Sequence, residues 1–558
     1  MSELYNLALK NVEAMNKLDG FDVIIICCSS SKQADYWQQR LEKGKGSILS
    51  STAVVLSVEE DWPGGAGNAL GTLYAFQKAA ALASSKHGID LLLQLQEHKI
   101  SVGLYHTAGK GTRLAPLPGS ENNNKPGVKL PATIPIQGKE QKSPMTILEA
   151  VIKQTGCYAK SRLGRLSVFW GDQVFIPTAP VEYTASYHVD ILCSLGPMMS
   201  KEEWKEKGMD KYGLIAQCEG GKAAQVEKVD HATALQLLQS LGEIQAVGTS
   251  LGSFSISWQL LKTLLKEFSE ELSLKKGKLD SDPHLWMPMT LDEGAYRHLM
   301  EQKGISKENS SKHYHRIQNM MNEFHQHYPS SFGLFGPVDV GQGVFWWDYG
   351  QLKLYQRNTL LMTESSPEAE MMRLFFGIQE DGLINDSVIT NTDIANSCVS
   401  SSVIGTEGGA RGYIRNCVVS NVRCNYIEAE NCVLINVTAD RIVMKPWSIA
   451  YNVLDESKPS SPRDTSTKTT DEAADHLVKL DEKQVIVGVF DNDGKQFIIR
   501  SHMDTDGGKA WETRVAGNTL SFEEVYNGNA DACPTTLEGV ISNSHNDVWK
   551  SLSTNNQS

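Results

Sequence analysis

Apolar and polar positions in the first third of the chain form two alternating patterns, short unbroken apolar runs and longer segments with helical spacing. The apolar runs with the length of buried strands are FDVIIICC, STAVVLSV, KISVGLY and RLSVFWGDQVFIP. Strands that are apolar on both faces and alternate with helices indicate a mostly parallel sheet that helices cover on both sides. The pattern therefore predicts an α/β fold with a Rossmann-like sheet, which continues as mixed α/β structure beyond residue 180.

The pattern changes near residue 381. Helical periodicity disappears between residues 385 and 444, where β-branched residues recur among Asn, Ser and Cys in NSCVSSSVIG, RNCVVSNVRC and ENCVLINVTA. A repeat of about fifteen to twenty residues fits one coil of a parallel β-solenoid. We therefore predict a C-terminal parallel β-helix, and a β-sandwich is the alternative.

These changes predict four parts of the chain. Residues 1–380 form the α/β domain and residues 381–456 form the parallel β-helix. Residues 457–480 are a polar linker or loop, and residues 481–558 form a strand-rich cap of the solenoid. The final STNNQS is expected to be disordered, because polar termini without a packing partner rarely order.

The net charge, the lack of long apolar runs and the cysteines indicate which ligands and which cellular setting the protein has. The net charge of −13 argues against nonspecific binding to nucleic acid, so a phosphate-binding site must be a local basic patch. We find neither an apolar run of membrane-spanning length nor the apolar core of a signal peptide, and predict no membrane association. The ten cysteines are scattered without zinc-binding spacing, which favours reduced thiols in a cytoplasmic protein.

A glycine-containing loop, YHTAGKGTRLAPL, follows the apolar run KISVGL. Loops that follow parallel strands lie at the carboxyl edge of the sheet, where ligands bind. Gly109 and Gly111 let the backbone approach an anion, Thr112 offers a hydroxyl, and Arg113 offers a permanent forked cation. The spacing fits neither GxxxxGK[ST] nor GxGxxG, so a P-loop and a dinucleotide fingerprint are both excluded.

Two lysines, Lys125 and Lys129, follow the loop in the proline-stiffened segment NNNKPGVKLP. Together with the glycine loop they predict a cradle for a polyphosphate. The alternatives are a purely structural glycine turn and, for Lys129, an ordinary surface position.

The combination GKGTRLAPLP…NKPGVKLP resembles the signature of sugar-1-phosphate nucleotidyltransferases, the NDP-sugar pyrophosphorylases. The resemblance continues through RLSVFWGDQVF, YGLIAQCEGGKAAQVEKVD and VFWWDYGQLKLYQRN. A nucleotidyltransferase domain followed by a parallel β-helix is a recurring architecture of that family. The resemblance implies an enzyme that makes an NDP-sugar and pyrophosphate from a nucleoside triphosphate and a sugar-1-phosphate.

The resemblance also implies a catalytic centre. Asp172 of the GD element and Asp348 of the W-x-D-x-G element would hold Mg²⁺, for which Mn²⁺ is a substitute. Arg113 and Lys125 would be the catalytic cations that neutralise the leaving pyrophosphate. Each aspartate has a structural alternative, a loop cap for Asp172 and a buried core acid for Asp348.

The remaining implied residues bind the two substrates. Glu227 would contact sugar hydroxyls and Lys228 the sugar phosphate, although the two could also be an ordinary exposed pair. The further residues implied in sugar-phosphate binding are Tyr212 and Gly213. The residues implied in nucleotide binding are Gly64, Gly65, Gly67, Asn68, Ala108, Lys110 and Lys129, together with Gly109, Gly111 and Thr112 of the loop.

The order of the motifs departs from the usual family pattern. The nearest candidate for the base-binding turn, WPGGAGNALGTLYAF, precedes the phosphate loop, an order similar to fucose-1-phosphate guanylyltransferases. We therefore expect a permuted sheet in which the strand at 21–28 lies parallel to the strand leading into the loop. The turn at 64–68 is expected to face the same cleft as residues 109–113. GTP is favoured slightly over UTP as the nucleotide, and the sugar is not specified.

Two other functions are alternatives to the nucleotidyltransferase. A non-catalytic regulatory subunit on the same fold would have a broken phosphate loop or would lack the carboxylates, and the sequence shows neither change. A solenoid acyltransferase would need a catalytic histidine among residues 385–455, and this part of the sequence contains no histidine. Asp280 and Asp282 in DSDPHLWMPMT are interpreted as a structural turn rather than sugar ligands. His106 is interpreted as a packed neighbour of the loop, and a homo-oligomer through the β-helix is expected.

Overall fold

The computed structural model describes residues 3–138, 142–219, 222–238, 242–378, 382–405, 411–455 and 477–554. Most of the predicted linker at 457–480 and the last four residues of the predicted tail lie outside these ranges. The chain divides into two compact units. Unit 1 contains Met1–Thr107, Ile152–Gly171 and Phe175–Phe345, and unit 2 contains Ala108–Val151, Asp172–Val174 and Trp346–Ser558. The predicted domain boundaries remain predictions. The predicted strand-rich character of residues 481–558 is wrong, because the described residues after His502 form helices, Phe522–Gly528 and Pro534–Thr554, and irregular segments.

Strands and helices alternate in the first part of the chain, and strands dominate the last part. The helices are α1 (Glu3–Asn16), α2 (Ser31–Lys43), α3 (Gly67–His87), α4 (Leu91–Gln96), α5 (Leu117–Ser120), α6 (Ile147–Thr155), α7 (Lys201–Glu206), α8 (His231–Leu238), α9 (Trp258–Glu267), α10 (Ser269–Leu274), α11 (Met287–Thr290), α12 (Glu293–Gln302), α13 (Lys307–His327), α14 (Leu352–Leu360), α15 (Pro367–Phe376), α16 (Phe522–Gly528) and α17 (Pro534–Thr554). The first strands are β1 (Val23–Cys28), β2 (Val54–Glu59), β3 (Val102–His106), β4 (Lys129–Ile134), β5 (Ser143–Thr146), β6 (Arg165–Trp170), β7 (Gln173–Ile176), β8 (Tyr187–Gly196), β9 (Gly213–Cys218), β10 (Ala223–Glu227), β11 (Ile244–Ser257), β12 (Gly333–Asp339) and β13 (Phe345–Asp348). The remaining strands are β14 (Ile384–Asn385), β15 (Val388–Ile389), β16 (Thr392–Ala395), β17 (Cys398–Ser400), β18 (Val403–Ile404), β19 (Gly412–Arg415), β20 (Val418–Cys424), β21 (Tyr426–Glu430), β22 (Val433–Thr438), β23 (Arg441–Met444), β24 (Ile449–Leu454), β25 (Leu477–Leu480), β26 (Gln484–Phe490) and β27 (Gln496–His502).

Unit 1 is built on one sheet with the order β10-β9-β11-β6-β3-β1-β2, in which β8 also pairs with β11, and β12 pairs with β8. The strands β6, β3, β1 and β2 are mutually parallel, and Cys27 of β1 stands opposite His106 of β3. The predicted parallel pairing of the strand at 21–28 with the strand leading into the glycine loop is therefore confirmed. The strand β11 runs antiparallel to β6, β8 and β9, which the apolar pattern did not indicate.

The central apolar run folds as the pattern predicted because it is buried on both faces. Every residue of β1 is buried, and the side chains on one face, those of Val23, Ile25 and Cys27, share a core with residues of α3. The fold is thus mixed α/β with mostly parallel sheets. Among helices in the described ranges, none combines the length and the apolar character that crossing a bilayer requires.

Unit 2 contains two sheets whose parallel strands alternate along the chain. One sheet has the order β14-β17-β20-β22-β24-β26-β27, and the other has the order β16-β19-β21-β23-β25. All neighbours in these two sheets are parallel except β26 and β27. The repeat is visible in the register, since Val433 pairs with both Val418 and Ile449.

The recurring Asn and Cys residues of unit 2 stack from one strand to the next. Asn421 and Asn436 adopt left-handed backbone conformations, which Asn tolerates better than most residues. The amide of Asn421 donates to Asn436 Oδ1 over 2.8 Å, and the amide of Asn436 donates to Asn452. Cys417 and Cys432 are both buried and are also neighbours in this stack, where the Cys432 N–H donates to Cys417 Sγ. The predicted stacking role of these residues is confirmed.

The segment that follows the glycine loop is anchored to these strands within unit 2. The backbone N–H of Lys129 donates to the Tyr451 hydroxyl over 2.8 Å, and the amide of Asn452 donates to Ser120 Oγ over 2.8 Å. The Ser400 hydroxyl donates to the carbonyl of Pro131 over 3.1 Å. The C-terminal strands therefore hold the backbone on which Lys125 is carried.

Candidate functional site

The glycine loop of unit 2 is a tight turn against the segment that carries Lys125. Gly111 has a φ of 66°, in the left-handed region that favours glycine, and its carbonyl accepts from Leu114 in a short 3₁₀ turn. A β-carbon at Gly111 would approach Cβ and Cγ of Lys125 to 3.2 Å. Gly111 therefore allows the loop to pack directly on the stem of Lys125.

Three predicted charged residues converge in unit 2. The Lys125 ammonium forms an ion pair with Asp172, and each of these side chains is only 17% exposed. Asp348, the last residue of β13, accepts a 2.6 Å hydrogen bond from the Gly350 N–H. The N–H of Tyr349 donates to the carbonyl of Asp172 over 2.9 Å, which ties the two acidic segments together. We call Lys125, Asp172, Asp348 and Gly350 the carboxylate cluster.

Gly350 creates the space between these charges. A β-carbon at Gly350 would lie 2.9 Å from Asp348 Oδ1, 3.0 Å from Asp172 Oδ2 and 3.6 Å from Lys125 Nζ. The two carboxylates and the ammonium therefore surround a volume that any other side chain would fill. Gly350 is the glycine of the W-x-D-x-G element, but the sequence did not predict this role, because Asp172 and Lys125 are remote in sequence and approach Gly350 only in the fold.

Burial and neighbouring charges both act on the carboxyl of Asp348. Burial raises the pKa of Asp348, and the Asp172 carboxylate raises it further. The N–H of Gly350 and the cations of Lys125 and Arg113 act in the opposite direction on this pKa. Two converging carboxylates with hard oxygen atoms are a donor set that suits Mg²⁺.

Two other predicted lysines of unit 2 face carboxylates and aromatic rings. The Lys129 ammonium lies 2.8 Å from Glu121, and its side chain is largely buried. The Lys110 ammonium lies over the rings of Trp511 and Tyr526, at 5.8 and 5.6 Å from their centroids, and 3.9 Å from Glu523. The C-terminal segment around α16 therefore holds the side chain of Lys110.

The remaining predicted loop residues surround this turn. Ala108 and Gly109 are exposed, Gly109 has a φ of 127°, and Thr112 begins the short 3₁₀ turn that also contains Arg113. A β-carbon at Gly507 would collide with the carbonyl oxygen of Thr112, so the C-terminal segment also packs on the loop backbone.

In unit 1, two of the four predicted sugar-phosphate residues, Glu227 and Lys228, line a cavity of about 460 Å³. Glu227 ends β10, and Gly213 stands opposite it at the start of β9. The N–H of Lys228 donates to the carbonyl of Tyr212 over 3.1 Å, so the YG and VEK motifs are adjacent. The polar residues of the cavity wall are Asn68, Glu227, Lys228, Asp280, Asp282, His284 and Lys303.

Glu227 pairs with two lysines in this cavity. Its two carboxylate oxygens lie 2.6 Å from the Lys228 ammonium and 3.7 Å from the Lys303 ammonium. Lys228 is 61% exposed and Lys303 is 37% exposed, so both cations remain accessible from the cavity. Lys303 follows α12 and carries no motif, which is why the sequence did not single it out.

The predicted base-binding turn at 64–68 forms hydrogen bonds with the DSDP segment at 280–283. The carboxylate of Asp280 accepts from the N–H of Asn68 over 3.0 Å, and Asn68 Oδ1 accepts from the N–H of Ser281 over 2.6 Å. Gly67 has a φ of 74°, and a β-carbon there would collide with the carbonyl of Leu279. Gly64 and Gly65 precede it with φ values of 76° and 81°. Asp280 therefore has the structural role that the sequence suggested.

Asp282 differs from Asp280 because it also faces charged groups of the cavity. It begins a π-helical turn at Asp282–Trp286, and burial raises the pKa of its carboxyl to about 7, assisted by the charge of Glu227. The side chain of Gln225 and the cations of Lys228 and Lys303 oppose this shift in pKa. Near neutral pH this carboxyl can therefore both donate and accept hydrogen bonds.

Comparisons with known proteins include a weak similarity to a solved structure. No protein-family model and no curated protein matches the chain. The uridine diphosphate N-acetylglucosamine pyrophosphorylase from Trypanosoma brucei, solved with an inhibitor, matches with 11% identity and a TM-score of 0.16. The match covers 48% of this chain and 52% of that one, so the chain spans about half the length of that structure. An identity and a TM-score this low carry no argument about function, which must come from the arrangement of the residues described above.

Proposed function

We propose that the chain is a sugar-1-phosphate nucleotidyltransferase, which forms an NDP-sugar and pyrophosphate. The observation that carries this proposal is the convergence of Lys125, Asp172 and Asp348 around the space that Gly350 leaves open. A cation next to two carboxylates suits a reaction between two polyanions, because positioning and charge neutralisation supply most of the catalysis.

In the proposed reaction, an oxygen of the sugar-1-phosphate attacks the α-phosphorus of the nucleoside triphosphate. A new P–O bond forms, the bond between the α-phosphorus and its bridging oxygen breaks, and pyrophosphate leaves with the electron pair. No general base is needed, because the attacking phosphate is already ionised. Arg113 and Lys125 neutralise the charge that develops on the leaving group.

Asp172 and Asp348 would hold the divalent ion, Mg²⁺ or its substitute Mn²⁺. When bound, the ion would supply positive charge to the phosphates. The closeness of the two carboxylates supports this assignment: burial raises the pKa of Asp348, and the nearby Asp172 carboxylate adds to the increase. Lys125 already contacts Asp172, so its ammonium is held beside the proposed ion site.

The cavity of unit 1 is proposed to bind the sugar phosphate. Lys228 would hold the phosphate and Glu227 the hydroxyls, with Tyr212 and Gly213 as supporting residues. Lys303 is a second cation within reach of the same carboxylate, which supports binding of a dianionic group. The turn at 64–68 and the loop at 108–112, with Lys129, would bind the nucleotide, and we favour GTP over UTP.

The strands of unit 2 between Ile384 and Phe490 are proposed to form a parallel β-helix. The alternation of parallel strands between two sheets and the register of Val433 with Val418 and Ile449 support this assignment. A homo-oligomer formed through these coils remains part of the proposal. Each cysteine in the described residues is a free thiol, which fits the cytoplasmic setting we propose.

Pyrophosphate release tests the proposal directly. The full chain with Mg²⁺ is incubated with each common nucleoside triphosphate and a panel of sugar-1-phosphates. We expect release that requires both substrates and is highest with GTP or UTP. The Asp172→Asn/Asp348→Asn double variant is the control for contaminating enzymes and should be silent. Absence of release with every pair would favour the regulatory-subunit alternative.

A further inference from the structure

Three adjacent parallel strands of unit 1 each deliver a metal-ligating side chain to the same edge of the sheet. Cys27 of β1 and His106 of β3 are direct partners in the parallel register. Glu60 follows β2, and its N–H donates to the carbonyl of Cys28 over 2.8 Å. Partners in parallel register point to the same face of a sheet, so the topology itself brings Cys27 and His106 together.

The ligand atoms of this group have the separation that one ion requires. One ligand atom from each of Cys27, Glu60 and His106 lies within 4.8 Å of the other two. Cys27 Sγ lies 3.7 Å from Glu60 Oε2. Tetrahedral zinc, with bonds of about 2.3 Å to sulfur and 2.0 Å to oxygen, holds such a pair of ligands about 3.5 Å apart. Closure onto an ion therefore needs only small movements.

Neighbouring groups orient two of the three ligands. The hydroxyl of Thr72 donates its hydrogen to the carbonyl of Asn68 over 2.7 Å, so it accepts from His106 Nε2 over 2.9 Å. In the neutral ring this leaves the lone pair on Nδ1. Glu60 Oε1 accepts from the N–H of Ala66 over 3.1 Å, while Oε2 is directed to Cys27. Partners of this kind fix metal ligands in proteins.

A glycine leaves room beside the group. Gly71 of α3 faces it, and a β-carbon at this position would lie 2.6 Å from Glu60 Oε2 and 3.7 Å from His106 Cε1. Glu60 and His106 are only half-buried, so an ion and a water molecule can reach the group.

We propose that Cys27, Glu60 and His106 bind one borderline-soft divalent cation, with Zn²⁺ as the best fit and water in the fourth position. On binding, the Cys27 thiol loses its proton to solvent and a sulfur–metal bond forms. Thiolate, carboxylate and neutral imidazole then balance the charge of the ion. A set of sulfur, nitrogen and oxygen ligands differs from the all-oxygen pair of Asp172 and Asp348, so the two sites select different metals.

The ion would have a structural role. It would join the ends of β1, β2 and β3 beneath the first turn of α3, which follows the glycine turn at 64–68. The proposal does not depend on the nucleotidyltransferase activity. The competing interpretation is a metal-free network in which the Cys27 thiol donates to Glu60.

Cobalt binding by the full chain tests the proposal. Protein stripped of metal is titrated with Co²⁺, whose bond to a thiolate gives a charge-transfer absorption band in the near ultraviolet. We expect the band to saturate at one equivalent and to disappear when Zn²⁺ is added. The Cys27→Ser variant should lose the band, whereas Cys28→Ser should keep it. Cys28 is the matched control because it is the adjacent, equally buried thiol.

Two further variants keep the test decisive if Cys27→Ser does not fold. Glu60→Gln should keep the thiolate band but bind Co²⁺ at least about 10-fold more weakly. Gly71→Ala should abolish binding by filling the space beside the carboxylate. Zn²⁺ should also raise the Tm of the wild-type protein and of Cys28→Ser. A wild-type protein without the band, or a band that persists in Cys27→Ser, would overturn the proposal in favour of the metal-free network.

Discussion

The carboxylate cluster of unit 2 and the cavity of unit 1 both contain lysines and carboxylates, but these charged side chains differ in how exposed they are. In the cluster, Lys125 and Asp172 are both only 17% exposed, and Gly350 leaves a small space between the charged atoms. In the cavity, Lys228 and Lys303 are 61% and 37% exposed around a volume of about 460 Å³. Confined charges suit a transition state in which charge moves, whereas accessible charges suit a ligand that keeps its charge throughout.

This contrast predicts a kinetic division between the two regions. An interaction that strengthens in the transition state contributes to kcat, and one made equally in ground and transition states contributes to KM. Changes in the cluster should therefore lower kcat, and changes in the cavity should mainly raise KM for the sugar phosphate.

The largest effect is expected from the two aspartates. Asp172→Asn and Asp348→Asn should each lower kcat by orders of magnitude while leaving the fold intact, because each removes half of the carboxylate pair. Removing divalent ions with a chelator should have the same effect, reversed by Mg²⁺. Steady-state kinetics and circular dichroism are the measurements, and Asp493→Asn in an exposed turn is the control. A fully active double variant would end the two-carboxylate assignment.

The cations of the cluster come next. Arg113→Ala and Lys125→Ala should each slow turnover at saturating substrate by roughly a hundredfold, which corresponds to about 3 kcal/mol of lost transition-state stabilisation. The rate of pyrophosphate release at saturation is the measurement. Normal turnover by Arg113→Ala would show that the glycine loop is only a structural turn.

The Gly350→Ala variant tests the space between Asp172, Asp348 and Lys125 and leaves the charges of these residues unchanged. Its β-carbon would press on both carboxylates, so kcat should fall on the order of tenfold, or about 1.4 kcal/mol in the barrier. Thermal unfolding should change little, because the displaced groups are the ends of side chains. Gly539→Ala in α17, where a β-carbon meets open space, is the matched control. Unchanged kcat would show that the space is not used in the reaction.

The lysines of the cavity should affect binding. Lys228→Ala and Lys303→Ala should raise KM for the sugar-1-phosphate about tenfold, since each removes one charge-assisted contact, and should leave KM for the nucleotide unchanged. Lys307→Ala, an exposed lysine at the start of α13, is the control. An effect of Lys303→Ala on the nucleotide alone would remove Lys303 from the sugar site.

The smallest effect concerns pH and Asp282. Its pKa is raised from 3.8 to about 7 in the folded chain, so the folded state binds the proton more tightly than the unfolded state. The free energy of unfolding should therefore decrease as pH rises from about 4 toward 7, through this group. Asp282→Asn should remove that part of the pH dependence in denaturant titrations at several pH values. If the free energy of unfolding changed with pH in the same way in the wild-type protein and in Asp282→Asn, the raised pKa of Asp282 would be contradicted.

The same contrast explains what could be predicted from the sequence. The strands β1, β3 and β6 were visible as unbroken apolar runs, because nearly all of their residues are buried. The edge strand β2 was visible although Ser57 and Glu59 on one of its faces are only partly buried. The antiparallel pairing of β11 was not visible, since strand direction depends on the path of the chain and not on local pattern. The repeated Asn and Cys residues predicted stacking correctly, because each repeat meets the same environment in its neighbour.

For the candidate site, Lys125, Asp172 and Asp348 were identified through the motifs that contain them. Gly350 is the last residue of the W-x-D-x-G element, but its role was not predicted, because the closeness of Asp172 and Lys125 to it is visible only in the fold. Lys303 lies outside every motif, and its role arises from contact with Glu227, which is remote in sequence. The side chain of Lys110, predicted to bind nucleotide, is held by Trp511 and Tyr526, and no local signal near the loop indicates this contact.

The most direct test of the account compares Lys125→Ala with Lys228→Ala on the same pair of substrates. Both variants remove one lysine, but from the confined cluster in one case and from the open cavity in the other. We predict that Lys125→Ala lowers kcat by roughly a hundredfold with little change in KM, and that Lys228→Ala raises KM for the sugar-1-phosphate with kcat nearly unchanged. Equal effects of the two variants on both constants, or wild-type turnover by Lys125→Ala, would contradict the account.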